Sequence, residues 1–360
     1  MKILTLILGG ALAGCGAAPD AATSGDPALL AAVSLPDLPD WTDRFADTNV
    51  GDVRFFAIEP LMHAHGLSRL DAVEVQNHYR DLTRATPAID RGAAFAEALA
   101  RVKGGDRESG LDPAALAAAP FIVVFDLDDT LWDQVRPGPG CGDVEFEGAG
   151  GKTRRIRMVP GWQDAIHRIT ALGGVVVLFS ANLDDPTRDA LAHITLDEAP
   201  LLGHPLIAGV LTNSYLVRQS KHEGPGAQSP HRGQPVLEGS KDLRLFDEGL
   251  TRVIIVDDNP TRLFQPANAR LFKKFHGDVA CAGEGAARVA YDRALKVVVD
   301  EIADAAAFGE GHGVPFAQAY LPYTIVGRVA LDFLVEAGGL ERDAAVAALR
   351  EHPEWVDARL

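Results

Sequence analysis

Apolar residues along this chain gather in short unbroken runs that stop abruptly at polar clusters, and three of these runs set the architecture. Phe121-Ile122-Val123-Val124-Phe125, Val175-Val176-Val177-Leu178-Phe179 and Val253-Ile254-Ile255-Val256 are rich in β-branched and aromatic residues and show no polar alternation. Such runs predict strands buried on both faces, as in the parallel sheet of an α/β protein. Between them the spacing turns helical. Trp162, Ile166, Ile169 and Leu172 fall on one face of a helix opened by Pro160-Gly161 and ended by Gly173-Gly174, and Asp184-Asp185-Pro186 caps the next one.

Weaker patterns fill the rest. Val144 to Glu147 and Thr153 to Val159 alternate on either side of Gly148-Ala149-Gly150-Gly151, which predicts a β-hairpin projecting from the loop after the first strand. Ala269 to Phe275 reads as a further edge strand, with Lys273 and Lys274 guarding it against pairing. Lys241 to Phe246 starts a short helix, preceded by a long Gly/Pro-rich loop over 221–240. Upstream, Leu67, Leu70, Val73, Val75, Tyr79 and Leu82 form an approximate helical stripe with Ser68 at its N-cap, and a second helix is expected from about Pro87 to Val102. The tail from Glu284 onward is Ala- and Val-rich and reads as helical, with breaks near Gly309 to Pro315 and at Gly338-Gly339.

With 360 residues and 47% hydrophobic content the chain can bury a full core and is not disordered. A formal net charge of −16 disfavours nucleic acid and anionic lipid surfaces as non-specific partners. The first fifteen residues differ in kind: Lys2 precedes an apolar run, Ile3 to Ala13, too short to span a bilayer but of signal-peptide length. Leu12-Ala13-Gly14-Cys15 resembles the lipobox of bacterial lipoproteins, which implies a lipidated Cys15 and an exported, membrane-anchored envelope protein facing the periplasm or the surface. Residues 16–40, rich in Ala, Pro, Asp and Ser, read as a tether. The chain thus divides into a signal peptide (1–15), a tether (16–40), a helical region (41–118), an α/β domain (119–283) and a helical C-terminal region (284–360). Only Cys141 and Cys281 then remain in a compartment that permits disulfides; a bridge between them and two unpaired thiols both fit the sequence. His63 with His65, and His222 with His231, read as solvated histidines.

Each buried run delivers polar residues at its end. Asp126, Asp128 and Asp129 follow the first, Ser180-Ala181-Asn182 the second, and Asp257-Asp258-Asn259 the third, with Lys241 preceding the third. Like charges crowded at a buried strand end repel unless a cation sits among them, and a divalent metal is the simplest candidate. In open α/β sheets ligands bind just beyond these carboxyl ends.

The sequence Asp126-x-Asp128-x-Thr130, with Ser180, Lys241 and Asp257-Asp258 following in order, resembles the four motifs of the haloacid dehalogenase superfamily over about residues 121–276. That resemblance implies a Rossmann-like α/β fold with a central parallel sheet. The implied chemistry is phosphomonoester hydrolysis with Mg²⁺ and an aspartyl-phosphate intermediate. Asp126 would be the nucleophile and Asp128 the acid/base; Ser180, Ala181, Lys241 and Thr130 would hold the phosphoryl group. Asp126, the Asp128 backbone carbonyl and Asp258, with Asp257 beside them, would hold the metal. Asp129 reads as a supporting or solvated acid.

Only about 50 residues separate Asp126 from Ser180, too few for a large cap beside the hairpin. The chain resembles the capless FCP/SCP-type (NLI-interacting-factor) phosphatases in Val159-Pro160-Gly161, Phe179-Ser180-Ala181, Lys241-Asp242-Leu243 and Phe264-Gln265-Pro266-Ala267-Asn268-Ala269. In that family the second acid of the pair contacts the metal, which implies Asp258 as ligand and Asp257 as a partner of Lys241. Ser180 stands where threonine is usual. A phosphorylated protein or small molecule is the implied substrate; the alternatives are a non-specific acid phosphatase on nucleotides or sugar phosphates, and a non-catalytic tethered binding protein on the same fold.

Overall fold

The computed structural model describes residues 49–50, 53–54, 58–73, 75, 91–104, 109–136, 142–148, 151–218, 239–281, 286–336 and 338–357. Cys15, the tether, Cys141, His222, His231 and the helical stripe beyond Val75 lie outside them. Helices α1 (Ile58–His65), α2 (Arg91–Lys103) and α3 (Pro113–Ala118) precede the first strand of the central sheet, β1 (Ile122–Phe125). An insertion of β2 (Trp132–Gln134), β3 (Val144–Gly148) and β4 (Lys152–Met158) leads to α4 (Trp162–Ala171), β5 (Val175–Phe179), α5 (Asp184–His193) and β6 (Ile207–Leu211). Strands β7 (Val253–Asp257) and β8 (Ala269–Leu271) follow, then α6 (Ala286–His312), α7 (Phe316–Tyr320), α8 (Ile325–Glu336) and α9 (Arg342–Glu351). Among the described residues no helix is long and apolar enough to cross a membrane.

The central sheet has five strands in the order β6-β5-β1-β7-β8, every neighbouring pair parallel. Both faces are covered, which is why β1, β5 and β7 read as continuous apolar runs. Ile122, Val124, Val177, Phe179, Val253 and Ile255 pack with α1 and α8, whereas Val123, Phe125, Val176, Leu178, Ile254 and Val256 pack with α4, α6 and α7. Each such fully buried aliphatic side chain contributes about 1.5–3 kcal/mol relative to exposure. Register aligns the strand ends. Phe125 lies opposite Leu178 on one side and Val256 on the other, so β1, β5 and β7 end level with one another.

Several expectations change. Strand β6 has no counterpart in the sequence reading, because Ala208 and Gly209 interrupt its apolar run; Gly209 marks the register shift against β5. The hairpin is the larger part of a three-stranded antiparallel sheet, since β2 pairs with β4. Helix α1 also went unread, being eight residues with a proline inside. Ser68 does cap a helix, its Oγ accepting from the Asp71 amide at 3.2 Å. The N-cap of α5 is Leu183, not the Asp-Asp pair: Asp184 and Asp185 occupy the first turn, and Asp184 accepts from Ser214 Oγ. Leu172 is 39% exposed at the C-cap of α4, outside the buried stripe.

The histidine and cysteine readings also shift. His65 is not solvated; its Nε2 bonds the Ile325 carbonyl at 2.8 Å and burial pulls its pKa down to about 3. His63 is exposed and pairs with Asp332. Cys281 is disulfide-bonded, which removes the free-thiol reading for it; its partner lies outside the described residues.

Candidate active site

The loop after β1 is tight. Leu131 and Trp132 both donate backbone N–H groups to the Leu127 carbonyl, while Leu127 and Leu131 anchor the loop in the core. Asp129 takes a left-handed conformation (φ 61°), a region that Asp tolerates better than most non-glycine residues. Its amide bonds the Trp132 carbonyl at 2.7 Å and closes the loop onto β2.

Level strand ends bring the other groups to this loop. Lys241 Nζ lies 2.5 Å from Asp126 Oδ1 and 2.6 Å from Asp257 Oδ2, with all three side chains at most 9% exposed. Thr130 Oγ1 accepts from the Asp258 amide at 3.0 Å and sits 3.2 Å from Asp258 Oδ1 and 3.4 Å from Asp126 Oδ2. Thus the Thr130 hydroxyl ties the loop after β1 to the loop after β7. Ser180 Oγ donates to Asp128 Oδ2 at 3.1 Å and accepts from the Asn182 amide. Ala181 follows, half-buried, its carbonyl accepting from Asn213 Nδ2.

Lys241 is held from behind. Its amide bonds the Arg262 carbonyl at 2.7 Å, and Asp242 accepts from Gln265 Nε2 at 2.8 Å while Gln265 Oε1 accepts from the Leu243 amide. The two family-like stretches around Lys241 and Gln265 are therefore one interlocked unit. Such locking matters because an ammonium costs several kcal/mol to bury unless its partners are in place.

Two site residues were missed from sequence. Trp132 Nε1 donates to Asp128 Oδ1 at 3.1 Å, so the indole and Ser180 hold the two oxygens of Asp128 between them. Lys274 does not guard a strand edge: its Nζ lies 2.6 Å from Asp129 Oδ2 and 3.9 Å from Asp258 Oδ2. Asp129 is accordingly an ion-paired member of the cluster. The signal that could have found Lys274 was its place just past the carboxyl end of a parallel strand, the end where the other site residues gather.

Burial pushes the Asp126 carboxyl well above the usual range, against the pull of Lys241, with Asp257 and Asp128 adding to the rise. Burial and the Asp257 charge likewise raise Asp258 to about 7. For Lys241 burial favours the neutral amine, yet Asp126 and Asp257 outweigh it and the net shift is upward. The cluster thus holds more negative charge than its lysines relieve. Asp126, Asp257 and Asp258 each offer a carboxylate oxygen, all within 4.8 Å of one another, a donor set suited to a hard divalent cation. Asp257 is already engaged at both oxygens, by Lys241 and by the Asn259 amide at 2.8 Å, which leaves Asp126 Oδ2 and Asp258 as the less committed donors. A separate cleft of about 490 Å³, lined by Arg157, Pro160, Trp162, Ile194 and Tyr291, includes none of these acids.

Residues 121–281 match the family of NLI interacting factor-like phosphatases. No curated protein matches the chain. Among solved structures it is similar to Fcp1, described as an essential RNA polymerase II CTD phosphatase, with 17% identity, a TM-score of 0.31, and coverage of 66% of this chain and 61% of that one. It is also similar to a variant of the fission yeast RNA polymerase II CTD phosphatase Fcp1 bound to beryllium fluoride, with 14% identity, a TM-score of 0.30, and coverage of 67% and 70%.

Proposed function

We propose, from the match of residues 121–281 to the NLI interacting factor-like phosphatase family, that this chain is a Mg²⁺-dependent phosphomonoester hydrolase. The observation that carries the reading is the convergence of Asp126, Asp128, Lys241 and Asp258 on one loop mouth, with Lys241 bridging Asp126 and Asp257. A non-catalytic descendant of the fold has no need to keep that full set of charged residues together.

In this mechanism the Asp126 carboxylate attacks phosphorus and forms an aspartyl-phosphate, as the ester oxygen leaves with a proton from Asp128. Asp128 then takes a proton from water, whose oxygen attacks the same phosphorus and releases inorganic phosphate and free Asp126. Lys241, Ser180, the backbone at Ala181 and Thr130 hold the phosphoryl oxygens and the loop geometry. A Mg²⁺ ion held by Asp126, the Asp128 backbone carbonyl and Asp258 would neutralise charge on the phosphoryl oxygens. Asp257 orients Lys241. The small three-stranded insertion, in place of a large cap, supports a bulky substrate such as a phosphoprotein.

The test is phosphate release from para-nitrophenyl phosphate by purified protein with Mg²⁺, compared with Asp126→Asn. No Mg²⁺-dependent release, or full activity in the variant, would sink the reading. A higher kcat/KM on nucleoside monophosphates than on phosphopeptides would favour the small-molecule alternative. We also propose an envelope lipoprotein tethered through Cys15; palmitate labelling of the full chain that persists in Cys15→Ser would overturn that part.

A further inference from the structure

Lys274 is the second cation of the acid cluster and the one that the mechanism leaves without a task. Among the described residues, two ammonium groups pair with the cluster of Asp126, Asp128, Asp129, Asp257 and Asp258, and Lys241 is committed to Asp126 and Asp257 deep in the protein. Lys274 lies at the solvent-facing part of the cluster with its side chain 53% exposed, 2.6 Å from Asp129 Oδ2 and 3.9 Å from Asp258 Oδ2. Its position is imposed by the backbone. The Phe272 amide bonds the Asp257 carbonyl at 2.7 Å and the Phe275 amide bonds the Asp129 carbonyl at 2.6 Å, so the segment carrying Lys274 is pinned to both acidic loops.

We propose that Lys274 is a positioning residue that acts as a built-in counter-cation, held by Asp129 beside Asp258, and that it weakens divalent-cation binding at this centre. The inference rests on the metal-centre reading above. A fixed ammonium a few ångströms from a carboxylate ligand offsets part of the attraction that ligand exerts on a dication and repels the dication directly. Because Lys274 is half-exposed, water and salt screen it, and the net effect expected is about tenfold in cation affinity. The consequence is a metal that exchanges readily and a cluster that stays compact without it.

The experiment measures the melting temperature of the full chain against Mg²⁺ concentration without substrate, which yields a dissociation constant because the ion stabilises the folded state it binds. Lys274→Met and Lys274→Gln should each bind Mg²⁺ about tenfold more tightly, and Lys274→Arg, which keeps the charge, should stay within about twofold of the parent. Melting in EDTA checks that each variant folds. Unchanged or weaker Mg²⁺ binding in both neutral variants, or equal tightening in Lys274→Arg, overturns the proposal while leaving the metal centre standing. A parent chain whose melting temperature does not respond to Mg²⁺ overturns the metal centre and this inference with it.

Discussion

Lys241 Nζ sits 2.5 Å from Asp126 Oδ1 with its side chain only 1% exposed, so the central acid of the site and its counter-charge are sealed together. Removing one partner of a buried pair leaves an uncompensated charge. Lys241→Met should therefore destabilise the protein by about 3–5 kcal/mol. Urea unfolding checks this, and adding Asp257→Asn to Lys241→Met should recover part of the loss, since the two changes share one network.

Asp126→Asn keeps the volume of the side chain and removes the carboxylate that the proposed mechanism uses as its nucleophile. Turnover of para-nitrophenyl phosphate should fall by at least about 10³-fold, while the melting temperature in EDTA changes little or rises, because Lys241 keeps Asp257 as its counter-charge and the crowded acids lose one buried negative charge.

Trp132→Phe tests the indole bond to Asp128. The variant retains the buried ring but loses the 3.1 Å donor, so stability should drop by about 1 kcal/mol and kcat should fall more than KM rises. An unchanged kcat would show that Ser180 alone suffices to position Asp128.

In the proposed mechanism a metal ion and a proton compete for the same carboxylates. Burial and the neighbouring Asp257 charge raise the Asp258 carboxyl from its ordinary 3.8 to about 7, so folding takes up a proton between those limits. For an acid raised in this way the stabilising contribution is present at low pH and is lost as pH climbs from about 4 to 7, by at most about 4 kcal/mol. Metal-free protein should thus melt lower at pH 7.5 than at pH 5, with a smaller difference in Asp258→Asn. Saturating Mg²⁺ should remove most of the slope by holding Asp258 ionised, and EDTA should abolish turnover.

Much of this fold was readable because a strand buried on both faces needs an unbroken apolar run, and β1, β5 and β7 each have one. Ends of parallel strands share one edge of the sheet, so the acids after β1 and β7 and the serine after β5 could be assigned to one place from the order of the runs alone. Strand β6 escaped because Gly209 breaks its pattern, and β2 because three residues carry too little periodicity to register.

Three strands of the sheet and the polar residues at their ends were thus legible along the chain, since burial and chain direction leave their mark on local composition. Tertiary structure alone decided which acid meets which cation. Lys241 reaches Asp126 across 115 positions of chain. Trp132 turns its N–H to Asp128, and Lys274, which reads as an edge guard, pairs with Asp129 beside Asp258. The physical reason is range: periodicity reports on neighbours a few residues apart, whereas charge pairing acts through space and depends on how the loops after β1, β7 and β8 are pinned to one another.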